Sequence, residues 1–143
     1  MRRLHARDHE PLLKQQHIQQ TLADVATEIE AARLLVWRAA WMGRNGVPMT
    51  AGQGSMSKLK AGDVAMWATT TLMDLVGPFA QTMDCPLEKW FRDAKIYQIF
   101  EGTAQVQRLV IARMQAAHYS EAAKDAERPM GSAVSEAVAA TRG

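Results

Sequence analysis

Residues 18–39 read IQQTLADVATEIEAARLLVWRA, and their spacing decides the fold class. Apolar or small residues recur at Ile18, Leu22, Val25, Ile29, Ala32, Val36 and Ala39, in alternating steps of four and three. Steps of that kind return to one face of a helix every turn or two and to no face of a strand. Gln19, Asp24, Glu28, Arg33 and Arg38 fall largely off the stripe, and Pro11 stands upstream as a first-turn residue. One long helix with a single buried face is expected.

Beyond it, Gly43, Asn45, Gly46 and Pro48 supply turn chemistry, and Gly52 and Gly54 prolong the break until Ser55, a side-chain cap for a second helix. That helix runs from Met56 to about Val76, with Ala61, Ala65, Ala68, Leu72 and Leu75 in a stripe of small then large residues suited to close packing. Gly77-Pro78 ends it. Pro86 opens a third helix, with Leu87, Trp90, Ala94 and Tyr97 on one face, ending around Ile99. Thr103 caps a fourth, in which Val106, Leu109, Val110 and Arg113 follow one side until the pattern decays beyond His118. No stretch alternates as a strand does, and no period repeats. The expectation is an all-α, up-and-down four-helix bundle over residues 11–118, preceded by an irregular segment 1–10 and followed by a weakly ordered tail, 119–143.

Composition narrows the function classes. With 143 residues, 48% of them apolar and 22% charged, the chain suits one globular domain. Seventeen basic against fifteen acidic residues, spread without a block, leave no footprint for nucleic acid. The single cysteine, Cys85, allows no internal disulfide and no cysteine-based metal site, and is read as quiet packing. No apolar run follows Met1-Arg2-Arg3 as a signal peptide would or approaches membrane-spanning length, so a cytoplasmic location is expected. His5 and His9 stand four apart but lack a third ligand, so no metal site is assigned. Gly52 to Ser55 is read as linker and cap rather than a phosphate loop, because no strand precedes it. Arg92, Asp93 and Lys95 are read as ion pairs or interface contacts. Trp37, Trp41, Trp67 and Trp90 are read as core or interface anchors.

The stretch from Arg92 to Arg113, RDAKIYQIFEGTAQVQRLVIAR, closely resembles the C-terminal signature of acyl-CoA dehydrogenases. Gln16, Ile18, Leu22-Ala23-Asp24, Glu30 to Leu34, Arg38 to Trp41 and Ser55 to Leu59 extend the resemblance, in family order, over roughly Pro11 to His118. The resemblance implies FAD-dependent α,β-dehydrogenation of an acyl-CoA thioester to a trans-2-enoyl-CoA, with electrons leaving to an electron-transfer flavoprotein. It places the general base at Glu101, the position used by the short- and medium-chain members. It implies that the Glu101 backbone N–H and a flavin hydroxyl hold the thioester oxygen, that Phe100 and Gly102 lie against substrate, and that Thr103, Gln105 and Gly77 approach FAD. A thioester α proton is weakly acidic, so the base should be enclosed by apolar groups such as Ile99 and Phe100, and the enolate oxygen stabilised.

Two segments depart from the family pattern. Where members carry an Arg-x-Thr-Phe-Gly segment, this chain has His5, Arg7, Asp8 and His9. Where they carry a glycine-rich flavin loop, it has Asp74-Leu75-Val76-Gly77-Pro78-Phe79-Ala80-Gln81, in which Gly77 survives and Pro78 has no N–H to donate. The family's N-terminal helical and middle β domains have no counterpart here, which implies a truncated chain, inactive alone, that forms a homo-oligomer or joins the missing domains. The rival expectation is a non-catalytic homologue that acts as an oligomerisation or interaction module.

Overall fold

A computed structural model describes residues 12–127. Among them there is no strand. A 3-10 turn (Leu12–Lys14) leads into helix α1 (Gln16–Arg44), followed by α2 (Gln53–Val76), a second 3-10 turn (Gly77–Gln81), α3 (Leu87–Ile96) and α4 (Ala104–Glu127). The all-α fold of four helices expected from the sequence is the fold observed. Pro11 and the departures at His5 to His9 lie outside the described residues, as does the end of the tail. Residues 119–127 continue α4 as helix, nine residues past the point where the apolar pattern fades.

α2 is the centre, and α1, α3 and α4 each pack on it while making no comparable contact with one another. All three run antiparallel to it. Leu87 at the start of α3 meets Leu72, Met73 and Val76 near the end of α2, whereas Tyr97 beyond the end of α3 meets Gly62. α4 then continues in the same direction along the first half of α2, from Arg108 beside Asp63 to Gln115, whose amide donates to the Ala51 carbonyl. α3 and α4 thus run in the same sense along successive parts of α2, interrupted at residues 97–103. That interruption carries the proposed site.

The stripe on α1 is displaced by one position on half of its turns. Ile18, Val25, Ala32 and Ala39 are buried as expected, a seven-residue repeat that keeps one seam against a partner helix. The intervening positions taken into the seam are Glu28, Leu35 and Met42, and Ile29 and Val36 are left exposed on its flank. Glu28 enters because it pairs with Lys60 on α2, which satisfies its charge at the helix contact. Ile29 and Val36 instead look into a groove between α1 and α3, floored by Ala61, Ala65 and Ala68.

Other boundaries also differ. α2 starts two residues before Ser55, with Gly52 as its N-cap in the left-handed region (φ 81°), so Ser55 sits inside the first turn. An alanine at Gly52 would also bring its Cβ to 3.4 Å from the Ile111 backbone on α4. α3 stops at Ile96 rather than Ile99, although i→i+3 bonds from the Tyr97, Gln98 and Ile99 amides carry tight turns onward. Cys85 is buried with Ala80 and Leu87 under the loop that follows α2. Arg92 pairs with Glu88 and Lys89 with Asp93, each one turn apart on α3, and Lys95 donates to Gln98. The tryptophans are not core: Trp37 and Trp41 are 60% and 59% exposed, and Trp67 and Trp90 are exposed too.

Candidate active site

Glu101 lies at the break between α3 and α4, on a turn that two positive dihedrals reverse. Its own φ is 53°, the one non-glycine left-handed residue among those described, and Gly102 follows at φ 92°. For an L-residue with a Cβ the left-handed region is disfavoured, so neighbours must hold it there. Gly102 adopts its angle without that penalty, and a side chain there would strike the Gln107 amide at 2.8 Å. Thr103 then starts α4: its hydroxyl accepts from the Val106 N–H at 3.3 Å and its carbonyl from the Gln107 N–H at 2.9 Å, the geometry of an N-cap.

The turn is fastened to α2 by side chains. Lys58 donates to the carbonyls of Tyr97 (3.0 Å) and Gly102 (2.7 Å), and its ammonium lies 5.7 Å from the centre of the Phe100 ring. Asp63 accepts from the Gln98 amide (2.9 Å) and from Arg108 (2.5 Å), tying both ends of the break to one carboxylate. Gln107 reaches back to the Glu101 carbonyl (3.2 Å), and the Ala104 N–H bonds to the Gln98 carbonyl (2.9 Å), closing the loop. Phe100 stands edge-on to Tyr97. The N–H groups of Glu101, Gly102 and Thr103 donate to no acceptor among the described residues. They are left for a ligand or for water.

Of the residues assigned from sequence, the structure brings Phe100, Glu101, Gly102 and Thr103 together in one turn, with Gln105 exposed in the first turn of α4. Gly77 is not among them. It caps the far end of α2, fifteen residues beyond Gly62, roughly 22 Å along a helix rising 1.5 Å per residue. The expected apolar enclosure of the carboxylate is also absent among the described residues: Glu101 is exposed, and Ile99 and Phe100 are 52% and 40% exposed. Sequence reasoning missed the parts played by Lys58, Asp63 and Gln107. The available signal was the charged side chains Lys58 and Asp63 set among the small residues of α2.

The model of the family described as acyl-CoA dehydrogenase, C-terminal domain, matches residues 1–116. The chain belongs to the acyl-CoA dehydrogenase family. It is 51% identical over 104 residues to cyclohexane-1-carbonyl-CoA dehydrogenase of Geobacter metallireducens, covering 73% of this chain and 27% of that one. It is 43% identical over 102 residues to the mitochondrial short-chain specific acyl-CoA dehydrogenase of Rattus norvegicus, covering 71% and 24%. Among solved structures, butyryl-CoA dehydrogenase from Megasphaera elsdenii superposes with a TM-score of 0.73 at 39% identity, over 77% of this chain and 28% of that one. A structure described as electron transferring flavoprotein of Acidaminococcus fermentans gives 0.72 at 42% identity, over 76% and 28%. The chain therefore spans about a quarter of the length of the acyl-CoA dehydrogenases it matches. The match begins at residue 1, so it takes in His5, Arg7, Asp8 and His9. No helix among the described residues is long and apolar enough to cross a membrane.

Proposed function

We propose that this domain serves the FAD-dependent α,β-dehydrogenation of an acyl-CoA thioester to a trans-2-enoyl-CoA, with Glu101 as the general base. The observation that carries this reading is the turn itself. It presents a carboxylate outward at a left-handed position beside three free N–H donors, on a backbone anchored to the central helix. A carboxylate oxygen of Glu101 takes the α proton, and the Glu101 N–H donates to the thioester oxygen, where negative charge develops. Phe100 and Gly102 lie against the thioester.

The residues at the start of α4 fit a flavin edge, since they offer free N–H donors and the exposed Gln105 amide at the positive end of a helix. Thr103 and Gln105 would hold the cofactor there, and when bound FAD supplies the hydride acceptor for the β carbon. Gly77 fits less well, because Pro78 after it has no N–H and Asp74 before it exposes a carboxylate. An electron-transfer flavoprotein is the proposed electron acceptor. The open setting of Glu101 explains why the chain alone would not turn over: proton abstraction from carbon needs water excluded from the base.

A hybrid tests this reading. Residues 12–127 replace the corresponding C-terminal quarter of the short-chain specific relative, and acyl-CoA oxidation is followed with an artificial electron acceptor. Bound flavin and turnover are expected; a folded hybrid that neither holds FAD nor oxidises acyl-CoA overturns the assignment.

A second reading rests on a different observation. Leu34, Trp37 and Trp41 form an exposed apolar row on the face of α1 opposite its buried seam. Such a row suits assembly with another copy or with a complete dehydrogenase, whether or not the chain takes part in chemistry.

A further inference from the structure

The base reading leaves open what holds Glu101 in a conformation that its own side chain opposes. Resting on that reading, we propose that Lys58 is the positioning residue for Glu101. Its ammonium bridges the Tyr97 and Gly102 carbonyls and thereby sets the left-handed turn between them.

Lys58 is half-buried on α2, four residues before the Gly62 contact, and no carboxylate lies within 4 Å of it among the described residues. A partly desolvated ammonium needs hydrogen-bond acceptors in place of the water it loses. Its described partners are two main-chain carbonyls, at 3.0 and 2.7 Å, and the Phe100 ring. The two carbonyls belong to residues five apart and bracket the segment that contains Glu101. A lysine carries three donors on one nitrogen, so a single side chain can close that bracket, and a charged donor makes each bond stronger than a neutral one.

The bridge also fixes the peptide planes. In a trans peptide the C=O and the N–H point in opposite directions. With the Gly102 carbonyl turned onto Lys58, the Thr103 N–H is turned away from α2. With the Glu101 carbonyl turned onto Gln107, the Gly102 N–H is directed away likewise. These are N–H groups that find no acceptor among the described residues. The cation beneath the turn therefore sets the Thr103 donor directly and holds the turn in which Gln107 sets the Gly102 donor, without touching substrate. Asp63 secures the ends of the break at Gln98 and Arg108 but makes no bond inside the turn.

The test uses the full chain with Lys58→Met, which keeps length and removes the ammonium, and Lys58→Arg, which keeps the charge. Carbon-13 chemical shifts of Glu101 report its left-handed backbone, and amide exchange is read at Phe100 and Ala104, whose N–H bonds close the loop. For K58M the Glu101 shifts should move toward right-handed values. Exchange at Ala104 should rise at least about 10-fold, the effect of losing one charged hydrogen bond, while amides in α1 keep the parent rate. K58R should restore most of both signals, which a merely structural lysine would not require. Unchanged Glu101 shifts in K58M, or faster exchange spread evenly over α1, α2 and α4, overturns the proposal. If K58M does not fold, Lys58→Gln carries the same readouts. Neither readout needs flavin or substrate, so failure of the clamp and failure of Glu101 as a base are separate results.

Discussion

Two glycines on α2 invite the same substitution with opposite outcomes. At Gly62 an added Cβ would stand 2.8 Å from the Tyr97 carbonyl oxygen and 3.2 Å from its carbon. Both are backbone atoms, so the loop must move rather than a side chain turn aside. Replacing glycine by alanine in a helix interior gains about 1 kcal/mol of helix propensity. Forcing a methyl into a filled contact costs roughly 1–3 kcal/mol. The displaced carbonyl is the one that Lys58 holds, and weakening a hydrogen bond to a charged group costs roughly 1.5 kcal/mol more. Gly62→Ala should therefore destabilise the domain by about 1.5–3.5 kcal/mol net. At Gly54 the new Cβ would meet only the Met49 sulfur, at 3.4 Å, the flexible end of a side chain. Gly54→Ala should be neutral or stabilising by up to about 0.5 kcal/mol, since it lies in the first turn of the helix. Thermal unfolding followed by circular dichroism separates them: at roughly 4 °C per kcal/mol, G62A should melt about 6–14 °C below the parent and G54A at or slightly above it. A G62A variant as stable as G54A would refute the close approach of the 97–103 loop to α2.

Three further outcomes follow from the same contacts. Thr103→Ala removes the cap of α4 and should cost about 0.5–2 kcal/mol in denaturant unfolding, with Thr103→Ser largely neutral. Leu87→Ala empties the cluster beneath the loop after α2, where Ala80 and Cys85 are buried, and should cost about 2–4 kcal/mol, visible as a lower urea midpoint. Trp37→Gln combined with Trp41→Gln should leave unfolding within about 0.5 kcal/mol, because both side chains are exposed, yet shift sedimentation toward monomer if the outer row of α1 is an assembly surface.

How far the sequence could be read depended on the range of the interaction involved. α1 and the cap at Thr103 were legible because period and capping act within a few residues. The family signature from Arg92 to Arg113 located the turn that holds Glu101. What escaped depends on distant pairing. Glu28 joins the seam because Lys60 lies opposite, thirty-two residues away, and periodicity assigns a carboxylate to the outer face. Ile29 and Val36 were expected inside because they are apolar, but the groove they face is unfilled by residues 12–127. The enclosure expected around Glu101 failed for the same reason: Ile99 and Phe100 supply apolar surface, and nothing in residues 12–127 folds over it. Lys58 was visible as part of a family motif, but its bonds to carbonyls thirty-nine and forty-four residues away could only come from coordinates.

The central claim is that Glu101 removes the proton, and one measurement addresses it most directly. In the flavin-loaded hybrid, the rate at which acyl-CoA bleaches the visible flavin band under anaerobic conditions is compared for Glu101 and Glu101→Gln. The Glu101 carboxylate makes no hydrogen bond or ion pair among the described residues, so the variant should fold and retain its flavin. Loss of a general base predicts a fall of about 100- to 10,000-fold in that rate at unchanged flavin content. Bleaching at the parent rate in Glu101→Gln would contradict the account.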